Sequence, residues 1–441
     1  MELRHLNKSF LFTGITIIYS SILYYLVFYV FGDYNDYVLC TKIELFESSI
    51  SSFNFKYLYT RSCDEEPYFI VFENIKNLYT VDSFQYRNRP MFLIFAYLIN
   101  KFLSLFNFDA QNLLTSQLSY FILQNLILTV TAVLFNIAIN IKNTFKNYSS
   151  TALFLLLSPI YKWTIFEAGS HTQTGLILVI AICIYKKKYY LESNYLPIFI
   201  GFMYLSHRSF VVLFLYCAYL ILINKEIFSM KVKKIFKFSF YFIIPISSYE
   251  LFKYLFTTGQ DHSVEFYNQF FWVFDFIRGI DTNGVTGWYC QQLPQNFKCY
   301  LNDNIMTLKY LYIPLIFGIL YLYIKRKTFF VGNFWRPLLE IFILVNIFWS
   351  FIGWYPPIRF SFYSWGHLIV FVSIIIFYNL TSKVQKTLFT AGYVFYFMFL
   401  NHYNADIYFE LSIFHSISIV LYFFTILSIG NTKMLKSNIG N

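Results

Sequence analysis

Three acids in succession, Asp64, Glu65 and Glu66, are followed by Pro67 and Tyr68 in a chain that is otherwise rich in apolar residues. A carboxylate held in place can take a proton from an incoming hydroxyl. The complementary chemistry sits on arginines. Arg89 lies in the stretch NRPMFLIFAYLINKFLSLF, Arg208 in YLSHRSF, and Arg359 in the late aromatic-rich loop GWYPPIRFSFYSWG, which runs on into His367. A guanidinium grips a phosphate bidentately and stabilises the charge of a departing oxyanion. Further polar candidates are Glu167 and His171 in EAGSHTQ, and His207 beside Arg208. A base and a set of phosphate-binding cations are the parts of a displacement in which a hydroxyl attacks and a phosphate leaves. His171, His207 and His367 do not follow a metal-ligand spacing such as His-Glu-x-x-His. Glu250 and Lys253, three residues apart, read as a helical ion pair.

The elements that must position these groups are apolar. Of 441 residues, 57% are hydrophobic and 13% charged, about half the charge of a typical soluble domain, and mean hydropathy is +0.51. Apolar blocks fall near 9–31, 91–108, 116–140, 151–168, 171–185, 194–206, 208–224, 238–256, 307–324, 337–353, 367–381, 387–402 and 411–430. Solid blocks of this kind predict an all-α polytopic membrane protein; a β-barrel would alternate apolar and polar residues. The 56 Phe and 40 Tyr suit lipid-facing and interfacial positions.

If all thirteen blocks crossed, the basic YKKKYY (185–190) and the acidic SCDEEPYF would share the outer side, against the positive-inside rule. Treating 91–106 as an amphipathic half-helix on the outer face resolves the conflict. Lys101 in its middle supports this, because a lysine is costly in a lipid-facing span. About twelve transmembrane helices remain, with both termini inside. The inside segments 1–8, 141–150, 186–193, 225–237, 325–331, 382–386 and 431–441 then hold 19 of the 34 Lys and Arg and three of the 23 acids. The net charge of +11 is therefore a topology signal rather than a nucleic-acid surface. The chain reads as a single membrane domain, 1–441, with two large outer loops, 32–115 and 257–306. Cys40 and Cys63 fall in the first and Cys290 and Cys299 in the second. In an oxidising compartment they would pair as 40–63 and 290–299; free thiols are the alternative.

With that layout the chain resembles the GT-C superfamily of membrane glycosyltransferases, in particular its protein O-mannosyltransferase and aminoarabinose-transferase branch. Those proteins open with one span and an outer loop carrying Asp-Glu-x-x-Tyr, as in Asp64-Glu65-Glu66-Pro67-Tyr68. A basic residue and a proline then open a non-crossing helix, as Arg89 and Pro90 do. The resemblance implies a polyprenyl-phosphate sugar donor and transfer on the periplasmic or lumenal face, in a bacterial inner membrane, onto a glycan, glycolipid or protein. It makes Asp64 the general base with Glu65 in support, and assigns donor phosphate to Arg89, Arg208 and Arg359. Tyr68, Glu167, His171 and His207 become substrate-binding candidates. Relatives often carry an aspartate where this chain has EAGSHTQ, and the expectation from these residues is a layout without the relatives' C-terminal outer domain. Some relatives use a divalent ion, which Asp64, Glu65 and Glu167 could hold; the expectation is that no cofactor or metal is needed. Two other readings stand beside this one. A polysaccharide polymerase or ligase would work through loop 257–306, with Trp272, Asp275, Arg278 and Trp288. A transporter or flippase would place its charges nearer the bilayer midplane.

Overall fold

Long runs of Leu, Ile, Phe and Val satisfy their backbone polar groups away from water by coiling into helices. In the computed structural model the described residues are 3–25, 89–106, 113–142, 144–158, 160–161, 170–256, 305, 308, 311–324, 334–350, 357–397 and 412–438, and no strand occurs among them. The helices are α1 (Leu3–Tyr25), α2 (Pro90–Ser104), α3 (Leu113–Ala138), α4 (Phe145–Leu156), α5 (Thr174–Lys186), α6 (Tyr195–Ser206) and α7 (Val211–Leu222). They continue as α8 (Phe228–Phe256), α9 (Leu311–Ile324), α10 (Trp335–Ser350), α11 (Pro357–Asn379), α12 (Lys383–Phe397) and α13 (Ser412–Asn438). Two stretches, Leu118–Ala138 in α3 and Phe228–Leu255 in α8, are long and apolar enough to cross a membrane.

Those two stretches sit differently. The α3 stretch is 56% buried and the α8 stretch 17%, so α3 is a core helix and α8 lies at the rim. α5 is apolar all round, and Thr174 to Ile182 are buried almost without interruption among α3, α7 and α10. α1, α3 and α4 are joined by hydroxyls and amides. Ser20 Oγ lies 2.7 Å from Asn125 Oδ1, Thr129 donates toward Thr16, and Tyr148 bonds to both Thr16 and Thr129. Buried polar side chains need partners, and bonds made between helices tie the helices together. Asn125→Ala is expected to lower stability by about 1 kcal/mol in a detergent unfolding titration, the range such bonds contribute; no change would mean that the Ser20–Asn125 bond adds nothing to the other contacts between α1 and α3.

Side-chain bonds also show which helix ends lie together. Lys186 Nζ donates to Asn140 Oδ1, Tyr378 donates to the Asn147 carbonyl, and Lys234 bridges Glu192 and Glu226. Glu340 accepts from Tyr216, Tyr219 and Arg336. These contacts gather the ends near residues 140, 186, 222 and 378 into one lysine-rich end of the bundle. The opposite end holds the starts of α5 and α11 and the turn after α6.

Several helices begin where the apolar blocks do not. α8 starts at Phe228, ten residues before its block, because Lys, Met, Ile and Phe all form helix although four lysines between 231 and 237 lower the apolarity. α11 starts at Pro357, since proline at the first helical position costs nothing there. α4 runs from Phe145, capped by Thr144 onto the Asn147 amide, and stops at Leu156. The following Ser158-Pro159 pair disfavours helix at the residue before proline.

Candidate functional site

The turn between α6 and α7 is built by its own side chains. α6 stops at Ser206, and His207 leaves the helix with extended backbone (φ −158°, ψ 123°). The next helical turn then needs an acceptor for its first amides. His207 Nδ1 supplies it, accepting from the Ser209 amide at 3.3 Å and lying 2.5 Å from Ser209 Oγ. An accepting Nδ1 puts the ring proton of the neutral imidazole on Nε2. His207 is 3% exposed. Burial, and then the positive charges of Arg89 and Arg208, hold its pKa well below the usual histidine value of 6.5. Folded His207 is therefore neutral, while the unfolded chain takes up a proton near pH 6.5. The unfolded state binds more protons below that value, so stability must fall as the pH is lowered through it. Thermal stability measured from pH 8 to about 5 should decline below about 6.5. His207→Gln should remove that part of the slope; an unchanged slope would place the titration elsewhere.

Arg89 reaches the same corner from another element. It is the residue before Pro90, which opens α2 at its first position. α2 packs on α3, where Phe92 and Tyr120 stack at 5.7 Å, and on α6. Pro90, Phe92, Leu93, Ala96 and Asn100 are buried, while Phe95, Leu98, Phe102 and Lys101 are exposed. Fifteen residues span about 22 Å, less than the roughly 30 Å of a bilayer's hydrocarbon. One face of α2 thus docks on the bundle, the other is largely apolar with Lys101 near its end, and the start of the helix puts Arg89 within electrostatic reach of His207. Arg208 and Glu250 both lie within electrostatic reach of Tyr204. Glu250 and Lys253 form the ion pair expected from their spacing, at 2.6 Å.

From this turn a polar layer runs across the bundle. Ser206 Oγ donates to Gln173 Oε1 at 2.6 Å, and the neighbouring Thr174 hydroxyl meets His367 Nε2 at 2.8 Å. His367 lies inside α11 at 1% exposure, whereas the sequence places it in a late loop with Arg359. The helix that begins at Pro357 swallows that loop. The His367 ring stands edge-on to Tyr161, and its Nδ1 has no hydrogen-bond partner among the described residues. Gly175 makes this corner possible: a side chain there would collide with the Tyr161 hydroxyl and press on the His367 ring. Gln173, Thr174, Ser206 and Ser209 were not among the sequence candidates. Their signal was available, as polar residues flanking turns inside otherwise apolar blocks.

The sequence candidates thus separate. Arg89 and Arg208 both lie within electrostatic reach of His207. His171 lies on the 3-10 turn Ser170–Gln173, two residues before the glutamine tied to Ser206. Arg359 is in the first turn of α11, eight residues before His367 and so about 12 Å along the axis. Asp64, Glu65, Tyr68, Glu167 and the cysteines Cys40, Cys63, Cys290 and Cys299 lie outside the described residues. Among the described residues no group of three His, Cys, Asp or Glu is placed to hold a metal ion. No protein-family model, no curated protein and no solved structure matches this chain.

Proposed function

We propose that the protein is a membrane glycosyltransferase of about twelve spans. It moves a hexosyl or pentosyl unit from a polyprenyl-phosphate-linked donor onto a glycan, glycolipid or protein of the cell envelope. The observation that carries this reading is the convergence of Arg89 and Arg208 on the buried His207, at the foot of a short helix with an apolar outer face. Two guanidiniums at one corner suit the phosphate of a lipid-linked donor whose chain lies along the apolar face of α2. The donor's phosphate is already a good leaving group, so direct displacement with inversion needs only a base and charge stabilisation. In this reading Asp64 is the base and Glu65 supports it. Arg89, Arg208 and Arg359 hold phosphate, and Tyr68, Glu167, His171 and His207 shape the sugar and acceptor sites. The lysine-rich end faces the cytoplasm with both termini, and the arginine end faces outward.

The test is a glycan profile of the source cell's envelope, wild type against Asp64→Asn at matched protein levels. Loss of one sugar with polymer length unchanged is the expected result, and the missing sugar names the donor. A silent Asp64→Asn together with shortened polymer on Arg359→Ala would sink the reading in favour of a polymerase.

A further inference from the structure

The lysine-rich end of the bundle has its own chemistry. α8 has 29 residues, about 43 Å of helix against roughly 30 Å of hydrocarbon. Its last 19 residues, 238–256, already span about 28 Å, so 228–237 stands at the level of the headgroups. Two lysines of this segment are held by the protein. Lys231 Nζ donates to the Leu222 carbonyl at the C-terminus of α7, and Lys234 bridges Glu192 and Glu226. Lys233 and Lys237 are exposed one helical turn apart, and among the described residues neither is in an ion pair. They share their exposed face with Phe236 and Phe240, 73% and 65% exposed. Aromatics and lysines interleaved on one open face are poorly suited to water and poorly suited to the hydrocarbon interior. They match the boundary between headgroup and acyl chain, where rings insert and lysines reach outward.

The Glu192–Lys234 bond brings the turn Lys188–Glu192 alongside, with Lys187 and Lys188 exposed. Segments 186–193 and 225–237 together hold eight lysines against two glutamates, and Lys234 occupies both glutamates. Positive charge here is therefore left facing the membrane surface. We infer that Lys233 and Lys237, on the exposed face at the start of α8, form a binding surface for the headgroups of anionic phospholipids. This rests on the membrane setting and not on the transferase reading, so the two can fail separately.

The test uses the full-length protein purified in detergent and incubated with micelles mixing phosphatidylglycerol and phosphatidylcholine, with bound lipid read by native mass spectrometry. Wild type is expected to retain phosphatidylglycerol preferentially. Lys233→Gln with Lys237→Gln should lower that preference by about tenfold. Lys233→Arg with Lys237→Arg should keep it, and Lys101→Gln, an exposed lysine on α2, should leave it unchanged. Equal retention of the two lipids by wild type, or an unchanged preference in the double glutamine variant, overturns the proposal. So does displacement of the lipid by excess inorganic phosphate, which would mark a free-anion site rather than a lipid surface.

Discussion

On the proposed function, Arg208→Ala is expected to reduce sugar transfer by about 100- to 1,000-fold, the loss that follows removal of one positioned donor to a developing negative charge. The protein should still accumulate, because Arg208 is partly exposed on the turn while His207 and Ser209 provide the local hydrogen bonds. Arg208→Lys should recover part of the rate only. A lysine supplies the charge but not the planar fork that meets two phosphate oxygens. Arg89→Ala should behave similarly, and the double variant should lose less than the product of the two single losses if both hold one phosphate. The measurement is single-turnover transfer from a polyprenyl-phosphate sugar by purified protein. A rate for Arg208→Ala within about threefold of wild type, far short of the loss expected for a phosphate ligand, would remove Arg208 from the donor site. It would also take away the observation that carries the proposed function.

The second large effect is on folding. Gly201 of α6 faces α8 at Pro245, where a Cβ would sit 2.5 Å from the Phe242 carbonyl oxygen and 2.5 Å from Pro245 Cγ. Neither neighbour can move freely: one is backbone and the other is a ring inside a helix. Pro245 has no amide to donate and crowds the preceding turn, which bends a helix. The absent side chain at 201 lets the two backbones approach at that point. Gly201→Val would have to force α6 and α8 apart, and overpacking of this kind costs on the order of 3 kcal/mol. The expected result is a large drop in folded yield and in melting temperature, with Gly201→Ala intermediate. Because α6 ends in the His207 turn, displacing it should also weaken the site, and activity per folded molecule should fall with Gly201→Ala. A variant that folds normally would show that α8 is held elsewhere.

Much of this organisation was legible in the residues themselves. The apolar blocks predict helices because hydrocarbon leaves the backbone no other partner. Arg89-Pro90 predicts a helix start because proline fixes the backbone for a first turn and lacks only an amide that had no partner. Lysine counts separate the loops into two sets, and contacts such as Lys186 with Asn140 and Lys234 with Glu192 bring members of the basic set to one end. The spacing of Glu250 and Lys253 gives their ion pair, since residues three apart are neighbours on a helix.

Tertiary structure decided what no local rule can reach. The start of α8 is hidden from an apolarity scan, because lysines that form good helix also mark a sequence as polar. His367 reads as a loop residue until α11 extends back to Pro357 and buries it against Thr174, 193 positions away. That Arg89 lies within electrostatic reach of His207 depends on how α2 lies across α3 and α6, which is a packing outcome of buried Phe92, Leu93 and Ala96. Residue types and spacing by themselves determined which groups could do chemistry and that helices would carry them. Only the packing of one helix on another decided which of those groups share a corner, because distance in the chain says nothing about distance between helices.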